Sequence, residues 1–138
     1  MRTVSVLGAG SWGTALAVHL VRVGHDVRLW ARDPALVADM ASTRANDVYL
    51  AGVTFPDDLS VTNDLASAVA GSDLIVSAIP SLGCRAVMRA AAPDIAPGAT
   101  IVSATKGLEH GTLLRMSEVV TEELGPDRPV VVLSGPSF

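Results

Sequence analysis

The sequence predicts an α/β domain: a doubly wound parallel sheet with helices on both faces. Three observations carry that reading. A β-rich apolar run, Thr3 to Leu7, ends in Gly8 and is followed by Thr14–Val23, which reads as helix. Between them Gly8, Gly10 and Gly13 stand in G-x-G-x-x-G spacing at the strand-to-helix turn. Beyond the turn, short apolar strands alternate with helical segments through short connections to the end of the chain. The expected strand order is 3-2-1-4-5-6, the Rossmann-type arrangement. At 138 residues the chain supports one core, so residues 1–138 are read as a single dinucleotide-binding domain.

Each glycine of the turn has a distinct task. Gly8 permits the tight turn, Gly10 lets backbone approach a pyrophosphate, and Gly13 allows close helix–strand packing. The amides of Gly10, Ser11 and Trp12 would face the ligand from a helix N-terminus, where the peptide dipole favours negative charge. The plain alternative is a glycine-rich turn in an ordinary α/β domain. Its position after a strand, before a helix and at the start of a βαβ unit argues for the nucleotide reading.

The first helix ends at Gly24, and Asp26–Trp30 is the second strand. In this fold an acidic residue just past that strand holds the adenosine ribose of NAD. Here the chain reads Ala31-Arg32-Asp33-Pro34, with Asp33-Pro34 as N-cap and first residue of a helix over Pro34–Ser42. That occupies Asp33 and leaves Arg32 at the ribose, where a guanidinium can hold a 2′-phosphate bidentately. The reading leans to NADP, with NAD as the alternative. Thr43–Leu59 shows no clean period. Tyr49 and Phe55 pack this stretch, and Tyr49 is also a candidate to approach the cofactor. Ser60–Thr62 is a short strand, Asp64–Ala70 a helix, and Leu74–Ile79 a continuous apolar run typical of a strand buried on both faces. Ser81 caps the helix Gly83–Ala91 or touches the cofactor. Thr100–Ala104 is the fifth strand, Thr112–Leu124 the last helix and Val130–Leu133 the sixth strand.

Composition excludes several classes. The net charge of −4 comes without a basic stripe, which argues against nucleic acid as a partner. No apolar run approaches the roughly 18 residues of a membrane span. Met1-Arg2 leads directly into a strand. One cysteine, Cys84, excludes an internal disulfide and fits a reducing, cytoplasmic compartment. His19, His25 and His110 lie far apart without metal-ligand spacing, so no metal site is expected.

The carboxyl ends of the strands bound the ligand crevice of open α/β sheets. Lys106 follows the fifth strand, and Gly135 and Ser137 follow the sixth, so all three face the reacting end of the site. Lys106 is the single lysine among ten basic residues, and a lysine there can meet a phosphate or a reacting oxygen as a point charge.

Three segments occur together and in order: G-A-G-S-W-G-T-A-L-A at Gly8–Ala17, A-T-K-G-L-E at Ala104–Glu109 and L-S-G-P-S-F at Leu133–Phe138. In them the whole chain resembles the bacterial NAD(P)-dependent glycerol-3-phosphate dehydrogenases. The resemblance implies hydride transfer between NAD(P)H and dihydroxyacetone phosphate, giving sn-glycerol 3-phosphate for phospholipid synthesis. It implies that Ser11, Trp12 and Arg32 contact the cofactor, that Lys106 meets cofactor and substrate, and that Gly135 and Ser137 contact substrate. Family members continue for roughly as long again, with a helical domain that carries the catalytic lysine beyond Phe138, and a homodimer is expected at full length. A non-catalytic dinucleotide-binding module explains the glycine turn but not the two later motifs. A hydroxyacid or ketopantoate-type dehydrogenase would be expected to differ after the fifth and sixth strands.

Overall fold

The computed structural model describes residues 1–133, so Gly135 and Ser137 lie outside the described residues. The chain opens with β1 (Thr3–Leu7), α1 (Ser11–Arg22), β2 (Asp26–Trp30) and α2 (Pro34–Thr43). A short ribbon follows, β3 (Ala45–Asn46) with β4 (Leu50–Thr54), and then β5 (Ser60–Thr62) and α3 (Leu65–Val69). The second half holds β6 (Leu74–Ser77), α4 (Ser81–Ala91), a 3-10 turn at Ala92–Asp94, β7 (Thr100–Ser103), α5 (Met116–Leu124) and β8 (Val130–Val132). The main sheet runs β5-β2-β1-β6-β7-β8, with every pairing parallel. With the antiparallel ribbon left out of the count, this is the expected 3-2-1-4-5-6 order.

Strand periodicity of two divides the core between the faces. Val4 and Val6 of β1, Val76 of β6 and Ala104 pack with Ala17, Val18 and Met40 on the α1–α2 face. Leu7, Ile75 and Ile101 pack with Val87, Met88, Val119 and Val120 on the α4–α5 face. Ser5 points to the second face and is fully buried, with its hydroxyl bonded to the Ala68 carbonyl and Ser72 Oγ. Arg28 of β2 donates to the carbonyls of Ser67 (2.9 Å) and Ala70 (2.6 Å). These contacts satisfy carbonyls that the end of a five-residue helix leaves open.

Four sequence expectations need correction. α1 begins at Ser11 rather than Thr14, because extended Gly10 serves as its N-cap and Gly13 already lies in the first turn. Ser81 is the first residue of α4 and does not cap it; Pro80 holds the N-cap position, where no side chain bonds the helix. α5 begins at Met116 rather than Thr112. Gly111 (φ 93°) and Leu113 (φ 61°) are left-handed, and the segment instead forms a bridge between Leu108 and Arg115. The fourth is the unassigned Thr43–Leu59 stretch, which contains the ribbon. α2 ends on left-handed Arg44, whose guanidinium donates to the carbonyls of Pro56 (2.8 Å) and Leu59 (2.7 Å) and lies 5.9 Å over the Phe55 ring.

The α1–β1 junction tolerates no side chain at Gly13, where an added Cβ would lie 1.9 Å from the Gly8 carbonyl oxygen. Backbone on both sides would have to move. Gly13→Ala is expected to destabilise the domain by about 3 kcal/mol or more, read as a lowered urea midpoint.

Candidate nucleotide site

The site grows from the glycine turn. Gly8 adopts φ +112°, and a Cβ there would lie 2.6 Å from the Ala78 carbonyl oxygen, so the turn needs glycine for both conformation and space. Its N–H donates to the Trp30 carbonyl at 2.9 Å, which ties the turn to the end of β2. Gly10 is different. A Cβ built on it meets nothing within 4 Å, so the backbone there is open to a ligand. No side chain caps α1, and its first turn holds no acidic residue. A helix N-terminus of this kind presents amide donors and positive potential to an anion, so these residues fit a dinucleotide diphosphate.

A cleft of about 430 Å³ opens beside the turn. Gly8 and Gly10 line it together with Arg32, Tyr49 and the segment Ala78–Pro80 that follows β6. Arg32 is exposed in this lining. Asp33 is engaged as expected, its Oδ1 accepting the Ala35 N–H at 2.9 Å at the start of α2. Ser11 and Trp12 are exposed in the first turn of α1, with Trp12 47% accessible, and neither lines the cleft. Lys106 is exposed on the loop after β7 and also lies outside the cleft lining.

That loop is braced from two directions. Thr105 Oγ1 donates to the Ile79 carbonyl, joining the segments that follow β6 and β7. Further along, Glu109 takes a bidentate pair of bonds from Arg85 of α4, at 2.7 and 2.9 Å, and one from Thr112 Oγ1 at 2.6 Å. Arg85 also bonds Glu122 and Glu123 of α5, and Glu123 pairs in turn with Arg89. The Arg85 guanidinium and the Thr112 hydroxyl together hold the Glu109 carboxyl down to about 2. Cys84 lies on the buried face of α4, and burial pushes its thiol up, away from thiolate chemistry.

Residues 3–138 match the family model described as NAD-dependent glycerol-3-phosphate dehydrogenase N-terminus. The chain belongs to this family. It is 45% identical over 137 residues to the glycerol-3-phosphate dehydrogenase (NAD(P)+) of Geobacter sp. (strain M21), covering 98% of this chain and 41% of that relative. The enzyme of the same description from Thermoanaerobacter sp. (strain X514) is 47% identical over 134 residues, which cover 97% of this chain and 40% of the relative. Among solved structures, the glycerol-3-phosphate dehydrogenase of Coxiella burnetii superposes with a TM-score of 0.92 at 39% identity, over 99% of this chain and 42% of that one. The chain thus spans about two-fifths of the length of the relatives it matches.

Within this dehydrogenase-family domain, the fold brings Gly8, Gly10, Arg32 and Tyr49 around one cleft. Sequence reasoning did not single out Arg85 or Asn46. Ile79 ends a run that reads as strand, whereas β6 stops at Ser77 and Ile79 lines the cleft with Pro80; Arg85 looks like any surface arginine until Glu109 is brought to it from 24 residues away. Asn46 sits in the ribbon that carried no periodic signal, and it is fully buried beside the glycine turn.

The depressed Glu109 carboxyl gives a signed pH dependence. Its pairing stabilises the folded chain above the ordinary carboxylate value of 4.5, and that contribution is lost as pH falls toward about 2. Urea midpoints measured between pH 6 and about 2.5 should fall less steeply in Glu109→Gln than in the parent chain.

Proposed function

We propose that this chain is the cofactor-binding part of a glycerol-3-phosphate dehydrogenase that interconverts dihydroxyacetone phosphate and sn-glycerol 3-phosphate for glycerophospholipid synthesis. The observation that carries the reading is the open Gly10 backbone at the uncapped α1 N-terminus, facing a cleft bordered by Arg32. When bound, NAD(P)H supplies the hydride. The chain's own residues hold and orient it. Amides at Gly10, Ser11 and Trp12 receive the diphosphate, and Tyr49 flanks the cleft. Arg32 meets the 2′-phosphate of NADP, since Asp33 is committed to capping α2 and is not free to hold a ribose diol. NAD is the alternative cofactor.

Lys106 acts as a point charge toward cofactor and substrate phosphate, and Gly135 and Ser137 contact the substrate in the same reading. Proton transfer belongs to a lysine of the longer relatives beyond residue 138. A cytoplasmic location and a homodimer at full length complete the proposal. The buried free Cys84 accords with a reducing compartment. The two rival readings, a non-catalytic nucleotide module and a ketopantoate-type dehydrogenase, are not favoured by the family match.

Titrating parent and Arg32→Ala chains with NADPH and NADH tests the cofactor assignment. The variant should lose roughly 1.5–3 kcal/mol of NADPH affinity and keep its NADH affinity; equal losses would remove the 2′-phosphate role. The division of labour is tested by following NADPH absorbance with dihydroxyacetone phosphate. Residues 1–138 alone should show no turnover beside a full-length relative, and a rate within about tenfold of that enzyme would place the acid–base group inside this chain.

A further inference from the structure

Asn46 has no exposed surface and spends its whole side-chain amide on the nucleotide site. Its Nδ2 donates to the Ala9 carbonyl at 2.8 Å, inside the glycine turn, and to Thr14 Oγ1 at 2.9 Å on α1. Its Oδ1 accepts the Tyr49 N–H at 3.3 Å, from the ribbon end that borders the cleft. Thr14 is fully buried and Ala9 nearly so, at 6% exposure, so these groups meet the asparagine rather than water.

We propose that Asn46 is the positioning residue of the diphosphate cradle, fixing the direction of the Ala9–Gly10 peptide and holding Tyr49 beside it. The inference rests on the cofactor reading above. A trans peptide is planar, and its C=O and N–H point in opposite directions. With the Ala9 oxygen held inward by Asn46, the Gly10 N–H is aimed away from the buried amide. Gly10 is the residue of the turn with open surroundings. A flipped peptide would leave a buried side-chain donor unpaired and turn a carbonyl oxygen toward the anion; the first alone is costly. Asparagine suits the position because its two N–H groups serve two acceptors while its oxygen serves a donor. Aspartate, of the same shape, would set a carboxylate against the Ala9 carbonyl.

The test compares the parent chain with Asn46→Ala and Asn46→Asp at a temperature where circular dichroism shows each folded. Each is titrated with NADPH and with 2′-AMP, which keeps the phosphate proposed for Arg32 and lacks the diphosphate. Both variants should bind NADPH at least about tenfold more weakly and 2′-AMP within about twofold of the parent. Unchanged NADPH binding, or equal weakening toward both probes, overturns the inference, the second outcome marking a merely structural residue. If the variants do not fold, nitrogen-15 NMR of the parent decides: ADP should shift the Gly10 amide and the Asn46 Nδ2 resonances together, and 2′-AMP should leave them in place. Failure of either to respond to ADP overturns the inference. A parent chain that binds no NADPH brings down the cofactor reading itself, whereas a parent that binds alongside an unimpaired Asn46→Ala removes this inference alone.

Discussion

The approach of α1 to the end of β1 is the contact on which the rest of the site depends. A helix carrying any side chain at position 13 could not come this close, because the Gly8 carbonyl occupies the space a Cβ would need. The close approach sets the first helical amides directly above the carboxyl end of the central strand. The same few residues anchor both flanking strands: Gly8 bonds the end of β2 through the Trp30 carbonyl, and Leu7 accepts the Ala78 N–H from the segment after β6. One junction therefore positions three chain segments, and the cleft is the gap left between them.

From that junction the architecture separates binding from bracing. The α1–α2 face and the ribbon supply the glycine turn, Arg32 and Tyr49. The α4–α5 side carries the ionic cluster of Arg85, Arg89, Glu109, Glu122 and Glu123, which borders the loop that follows β7. Single exposed ion pairs contribute little, but here one guanidinium engages three carboxylates, two of them mostly sheltered, and couples two helices to a loop. The bidentate Arg85–Glu109 geometry makes the brace directional as well as electrostatic.

Most of the parallel sheet was legible in the sequence because buried strands write themselves as apolar runs and glycine spacing is a local signal. The limits of β1, β2 and β5 coincide with those read from the sequence, and the capping role of Asp33 is as expected. Local signals failed where tertiary contacts decide. The start of α5 depends on left-handed residues at positions 111 and 113, the second of them a leucine, which no propensity favours there. The ribbon is two very short strands whose shape is set by the Arg44 bonds to distant carbonyls and by the burial of Asn46. Of the residues that line the cleft, Gly8, Gly10, Arg32 and Tyr49 stand out in the sequence, whereas Asn46 and Arg85 gain meaning only from partners far along the chain.

Strand order also has a consequence for the birth of the domain. β1 lies in the middle of the sheet, with its first neighbour, β2, complete by residue 30 and its second, β6, paired through Val4–Leu74 to Leu7–Ser77. A ribosome delivers these strands in that sequence. At translation speeds of roughly 5–20 residues per second, the nascent β1 spends on the order of several seconds with one ladder made and the other edge bare. During that wait Val4, Val6 and Leu7, all buried in the finished strand, lack their β6 neighbours. The central strand of the finished sheet is thus left with an open edge while α2, the ribbon, β5 and α3 are being made.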